Sequence, residues 1–310
     1  MTQTPTNSWL MVIARLLVLI PAAAGTAAVQ AADAPYQYQE VKNWAQLPDD
    51  AKGAVMTAVD IDSHGTIYVL QRGAPARVMA FAPDGKLLRT WDYGAFPSAH
   101  GLRIDRDDNV WVTDRGWHQV YKFSPEGKLL LALGKKGVAG DNNSTDALNG
   151  PSDVTFAPNG NLFVSDGEST NTRVVKFSAD GKLIKFWGSK GSGPGQLDVP
   201  HAIAMDSKGL LYVADRSNKR IEIFDQEGGY VGIMTNAGTP YGLFITKDDI
   251  LYACDGSQGK NDVTVIDLKD QKVLGHFGGL AGAHMLSVDA SGAIYVAETT
   301  GAAVRKFVRK

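Results

Sequence analysis

Ser98-Ala99-His100-Gly101-Leu102-Arg103-Ile104-Asp105 has two near copies further along the chain. They are Val199-Pro200-His201-Ala202-Ile203-Ala204-Met205-Asp206 and Gly282-Ala283-His284-Met285-Leu286-Ser287-Val288-Asp289. Each places a histidine two residues before an apolar strand that ends in Asp. Three further copies of that strand carry Thr57, Ser152 and Tyr241 at the histidine position. In chain order the six positions read Thr57, His100, Ser152, His201, Tyr241 and His284, so histidine takes every second repeat.

Aligned on strand starts at Val59, Leu102, Val154, Ile203, Leu243 and Leu286, the repeats recur every 40 to 52 residues. A period of that size belongs to solenoids and propellers. Within a repeat every signal is for strand. The second repeat runs Leu102–Asp105, a turn at 106–109, Val110–Thr113, Gln119–Phe123, a turn at 124–127, and Leu129–Leu133. These runs are rich in Val, Tyr, Phe and Trp and are punctuated by Gly, Pro, Asn and Asp. Four strands per repeat is the propeller count. Gly85, Gly127, Gly181 and Gly228 recur between third and fourth strands, where a tight hairpin needs positive φ. The last repeat ends at Lys310 after its third strand, and Tyr38–Trp44 reads like the missing fourth. Pairing the two would close the ring and remove two open edges. The expectation is an all-β, six-bladed β-propeller, one domain over residues 32–310, closed by an N-terminal strand.

The chain has 310 residues, 44% hydrophobic and 21% charged, enough to bury a sizeable core. A net charge of −2 gives no basic field to recommend nucleic acid as a partner. Arg15, the apolar run Leu16-Leu17-Val18-Leu19-Ile20 and the small residues up to Ala31-Ala32 have the pattern of a secretory signal, so residues 1–31 are expected to be cleaved. That predicts an exported protein, periplasmic or secreted, with no membrane contact after cleavage, and a monomer. An uncleaved anchor is the alternative, but the run is short for a bilayer. Cys254 is the single cysteine, so no intramolecular disulfide forms, and a buried small residue is expected there.

Innermost strands line a propeller's channel, and alternate blades stand about 120° apart around its axis. His100, His201 and His284 are therefore expected to meet at one metal ion; three imidazoles and an open position suit zinc, and imidazole also takes copper, iron or nickel. Three unrelated polar residues at a channel mouth are the alternative, which the shared repeat phase disfavours. His64, His118 and His276 fall at a turn, a loop edge and an outer strand. Twelve residues after each strand start stand Gln71, Asp114, Asp166, Asp215, Asp255 and Glu298. Because acids also occupy blades without histidine, fixing the following turn is a better reading than orienting the imidazoles. One residue on, Arg72, Arg115 and Arg216 form a cationic rim able to grip a carboxylate or to stand as solvated surface charge.

His100-Gly101-Leu102, Trp111-Val112-Thr113-Asp114, Pro151-Ser152-Asp153-Val154, Phe163-Val164-Ser165-Asp166-Gly167, Val199-Pro200-His201 and Val213-Ala214-Asp215-Arg216 resemble the peptidyl-α-hydroxyglycine α-amidating lyase family. Its members are six-bladed propellers of NHL-type repeats that cleave α-hydroxyglycine peptides to an amide and glyoxylate. The resemblance covers Val55 to Phe307. It implies a zinc-dependent carbon–nitrogen lyase with His100, His201 and His284 as zinc ligands. It also implies Arg72 and Arg216 as active-site arginines, and a structural calcium held by the backbone carbonyls of Val59 and Leu102. The chain departs from the family where the chemistry lies. The family's catalytic tyrosine follows the Asp-Gly of blade three; here Asp166-Gly167 leads into Glu168-Ser169-Thr170. The family's Asp after the third histidine is Met285, the Met two residues before it is Gly282, and its disulfides are missing. Glu168 is then the candidate general base, or else a loop residue in solvent. The expected substrate is a small molecule or peptide bearing a carboxylate, held by Arg72, Arg115 and Arg216. A metal-dependent hydrolase of another small substrate and a non-catalytic NHL binding module are the competing readings.

Overall fold

Short runs of β-branched and aromatic residues broken by Gly, Asp and Asn favour strands joined by tight turns. The computed structural model describes residues 36–92, 94 and 96–310. The expected signal segment lies outside the described residues. Six four-stranded antiparallel sheets follow one another, with one short 3-10 turn at Asp49–Ala51 and no α-helix among the described residues. Blade two is typical: Ala99–Ile104, Val110–Asp114, Gln119–Phe123 and Leu129–Leu133 pair in order as a meander. Its inner strands are almost wholly buried, whereas Leu129–Leu133 alternates between half-buried and exposed. That alternation is the period of a strand with one wet face.

The first strands of the other blades are Val55–Ile61, Pro151–Phe156, Pro200–Met205, Pro240–Ile245 and Ala283–Val288. Each packs on the first strand of the next blade, and the sixth packs on the first. The buried apolar residues fall into six clusters, each drawn mainly from two neighbouring blades. The core is thus a ring of between-blade contacts.

The seam closes as expected. Tyr38–Val41 joins the last blade antiparallel to Ala303–Arg309, with Tyr38 opposite Arg309 and Val41 opposite Lys306. In three of the six blades a tryptophan then locks the fourth strand onto the following blade. Trp91 covers Gly127 and Trp187 covers Gly228, leaving no room for a Cβ at either glycine. Trp44 does the same at the seam: its Nε1 donates to the Pro83 carbonyl at 2.9 Å and its ring meets Tyr295. A Cβ on Gly85 would lie 1.7 Å from the Trp44 carbonyl oxygen, and Gly85 also holds φ at +86°. Glycine is required there on both counts.

The channel holds a charge that the repeat pattern did not announce. Arg103 is buried, and its guanidinium grips Asp153 through Nε–Oδ1 at 2.9 Å and Nη2–Oδ2 at 2.7 Å. It also donates to the carbonyls of Leu243 at 2.9 Å and Leu286 at 3.4 Å, which share a repeat position with Val59 and Leu102. Asp153 further accepts from the backbone amides of Val154 and Ile203, while Asp60 accepts from Ile104 N and Ser287 Oγ. Met285, where the family keeps its carboxylate, is fully buried among apolar residues. A hard divalent ion needs several free oxygen donors, carboxylates above all. The carboxylates here are already paired and a guanidinium holds two carbonyls of the ring. The calcium site at Val59 and Leu102 implied by the resemblance therefore does not fit this channel.

Three outcomes follow from this packing. Trp44→Ala should cost about 3–5 kcal/mol in urea unfolding, the usual loss for a buried tryptophan. Arg103→Ala, which strands Asp153 in the channel, should also cost about 3–5 kcal/mol. A calcium-selective chelator should leave the Tm of the wild-type protein unchanged.

Candidate metal centre

Every blade carries a break in strand register at the same place. The pairing of first and second strands shifts between Met56 and Ala58, Ala99 and Leu102, Pro151 and Asp153, Pro200 and Ile203, Pro240 and Leu243, and Ala283 and Met285. Each break encloses one of Thr57, His100, Ser152, His201, Tyr241 and His284. A bulge bends the strand and turns a side chain away from the regular pleat. Here that brings the three imidazoles together, with ring centroids 4.8, 4.8 and 4.9 Å apart. One nitrogen from each lies within 4.8 Å of the others, and all three residues are buried.

Each imidazole is anchored to the next blade. Nδ1 of His100 bonds the Ser152 carbonyl at 2.9 Å, that of His201 the Tyr241 carbonyl at 2.7 Å, and that of His284 the Thr57 carbonyl at 2.6 Å. A carbonyl only accepts, so Nδ1 carries the proton and Nε2 keeps a lone pair. Burial, followed by the neighbouring His100 imidazole, holds His201 and His284 well below the usual histidine range. They are neutral, which is the ligating form. Nε2 of His201 is buried without a hydrogen-bond partner. Three inward lone pairs, each tautomer fixed by an outer bond and one donor left orphaned, fit a metal ion of the zinc type.

Glu168 sits at this centre rather than in solvent, 6% exposed at its side chain. Its amide donates to the Gly150 carbonyl at 2.8 Å; Gly150 holds φ at +82°, and a Cβ there would come 2.7 Å from the Glu168 carbonyl carbon. Oε2 lies 3.6 Å from His100 Nε2 and 2.7 Å from Arg115 Nη1. Oε1 lies 3.6 Å from His201 Nε2 and 2.7 Å from Arg216 Nη1. Burial would raise this carboxyl, but the neighbouring His100 and His201 imidazoles and the Arg216 guanidinium outweigh it and hold it well below the usual carboxylate range.

The three arginines are at the site as well. Arg115 is steadied by Nε to Ser98 Oγ at 2.8 Å, and Arg216 lies over the Tyr241 ring at 4.9 Å. Arg72 donates from Nε to the Ala99 carbonyl at 2.8 Å, and burial with the charge of Arg115 pushes it down to about 10. Its Nη2 is buried and unpartnered. Tyr241 is a residue that sequence reasoning passed over as a site member. Its ring stands 5.1 Å from His201 and 6.3 Å from His284, and its place at the fifth repeat's key position was the available signal.

The recurring acids hold loops. Asp114 accepts from the amides of Ser98 and Trp117, Asp215 from Asp198 N and Arg220 Nε, and Glu298 from Ala281 N and Arg305. Each histidine takes a backbone carbonyl instead. Among the remaining histidines, His64 and His118 lie in turns and His276 in the outer strand Lys272–Phe277. Cys254 is fully buried, and burial pushes its thiol well above the ordinary value.

The pH response of the metal-free protein has a definite sign. His201 and His284 stay neutral in the fold but take up protons in the unfolded chain below their ordinary value of 6.5. Stability should be fully present above about pH 6.5 and fall as the pH drops below it. Glu168, lowered from 4.5, adds a loss of the same sign further down. Urea midpoints measured from about pH 8 to 5 should show the decline, and His201→Gln should flatten it.

Residues 197–224 match the family described as NHL repeat. The chain is 31% identical over 296 residues to human NHL repeat-containing protein 3, covering 86% of this chain and 82% of that protein. It is 32% identical over 247 residues to peptidyl-α-hydroxyglycine α-amidating lyase 2 of Drosophila melanogaster, covering 75% of this chain and 57% of the lyase. A solved streptogramin B lyase superposes with a TM-score of 0.62 at 14% identity, over 88% of this chain and 98% of that one, a likeness of fold alone. With the repeat, the ring and the relatives in agreement, the chain belongs to the peptidyl-α-hydroxyglycine α-amidating lyase-like family of NHL-repeat β-propellers.

Proposed function

We propose that this protein is an exported, zinc-dependent lyase acting on a small or peptide substrate that carries a carboxylate. The observation behind the reading is the convergence of three buried imidazoles, each anchored through Nδ1, beneath three guanidiniums. His100, His201 and His284 would hold the ion. Bound there, zinc supplies Lewis-acid polarisation of a substrate hydroxyl or carbonyl. Arg72, Arg115 and Arg216 orient the substrate carboxylate, since guanidinium pairs with it through two parallel bonds. Pairing Arg115 and Arg216 with the substrate frees Glu168 from them. Its carboxylate then accepts the proton of an α-hydroxyl and delivers it to the departing nitrogen. For an α-hydroxyglycine peptide the carbon–nitrogen bond breaks, the hydroxyl carbon becomes an aldehyde, and the products are a peptide amide and glyoxylate. The Drosophila lyase supports this choice of chemistry, and the apolar run Leu16–Ile20 supports export.

The buried Met285 and the missing blade-three tyrosine favour a second reading, cleavage of a different small α-hydroxy or ester-like compound at the same centre. One experiment separates these from a binding module. Purified protein should contain about one zinc per chain, and should release glyoxylate from an α-hydroxyglycine peptide. His201→Ala should abolish both. Zinc without glyoxylate would point to the second substrate class, and protein that takes up no metal would leave a non-catalytic propeller.

A further inference from the structure

Resting on the metal-centre reading above, we infer that Glu168 is a fourth donor to the ion held by His100, His201 and His284, and occupies the place a substrate carboxylate must take. The spacing carries the inference. Oε2 to His100 Nε2 and Oε1 to His201 Nε2 are both 3.6 Å. Charge-assisted hydrogen bonds fall at about 2.7–2.9 Å, so neither pair is bonded directly. Two donors to one tetrahedral ion at bond lengths of about 2.0–2.2 Å stand about 3.4 Å apart. The observed separations are those of co-ligands.

Two of the atoms concerned also lack a hydrogen bond: His201 Nε2 and Glu168 Oε1, both buried. Arg216 Nη1 neighbours Oε1 at 2.7 Å as an ion pair, outside hydrogen-bond alignment. Buried polar atoms are costly to leave unpaired, and a cation between these two would satisfy both. The carboxylate is not free to swing away, because its amide is tied to Gly150 and its outer side is held by Arg115 Nη1.

This arrangement divides the three arginines. Arg115 and Arg216 are engaged by Glu168, whereas Arg72 keeps a buried, unpartnered Nη2. A substrate carboxylate meets Arg72 first, then exchanges with Glu168 on the other two guanidiniums. The ligand class selected is a small carboxylate with an oxygen on the neighbouring carbon, able to replace Glu168 on both the arginines and the ion.

Cobalt(II) in place of zinc makes the test visible. Where water is the fourth ligand, its ionisation near pH 7 changes the spectrum. The wild-type cobalt protein should show a spectrum that does not change between about pH 6 and 8. Glu168→Ala and Glu168→Gln should bind cobalt roughly tenfold or more weakly by chelator competition. Both should acquire a pH-dependent spectrum, and acetate should restore the flat profile in Glu168→Ala. A wild-type spectrum that titrates like those of the variants would overturn the inference while leaving the three-histidine centre standing. No cobalt uptake by the wild-type protein would remove both. Because the wild-type profile alone decides the matter, variants that fail to fold do not block the test.

Discussion

The three imidazole–carbonyl bonds hold the design together. Each histidine commits Nδ1 to the following blade and keeps Nε2 for the centre. The same contact therefore fixes the tautomer, aims the lone pair and ties an even-numbered blade to the odd one after it. The His284–Thr57 bond does this across the seam where the ring closes. A bulge at the key position in all six repeats makes the contact possible. In odd blades the same position supplies the accepting carbonyl, so Thr57, Ser152 and Tyr241 contribute backbone while their partners contribute side chain.

Below that layer the channel is neutralised from within. Arg103, Asp60 and Ser287 share one repeat position on three blades. Asp153 shares its repeat position with Met285 of blade six. The carboxylate of blade three is neutralised by its own guanidinium, Arg103. Above the imidazoles, charge balance is handled the same way, with Glu168 set between two arginines and two histidines. Both levels use protein charges to complete an ionic site.

The repeat period made much of this legible. Six strand starts, the alternation of histidine, the hairpin glycines and the spare N-terminal strand are all signals carried by spacing along one chain, and the ring follows from them. The arginines shared a phase, which located them at the histidine end without saying whom they would meet. Residues whose role depends on contacts between blades were harder to read. Arg103 lay inside the first stretch quoted, yet its partner Asp153 is 50 residues away and no periodicity links the two. Glu168 was visible as the residue in the tyrosine's place, but its pairing with Arg115 and Arg216 arises only when blades two, three and four are side by side. Tyr241 looked like one more non-histidine position until the ring placed it against His201 and His284.

The seam strand has a kinetic corollary. Glu40 pairs with Arg305 across 265 residues. Loop closure over such a span costs entropy before any contact repays it, and topologies dominated by distant pairings assemble slowly. Five blades are each complete within one stretch of chain and can form in succession, whereas the sixth waits for its two ends to meet. Until they do, Ala303–Arg309 presents an unpaired edge able to recruit a strand from another molecule. The interval before closure is when this propeller is most exposed to self-association.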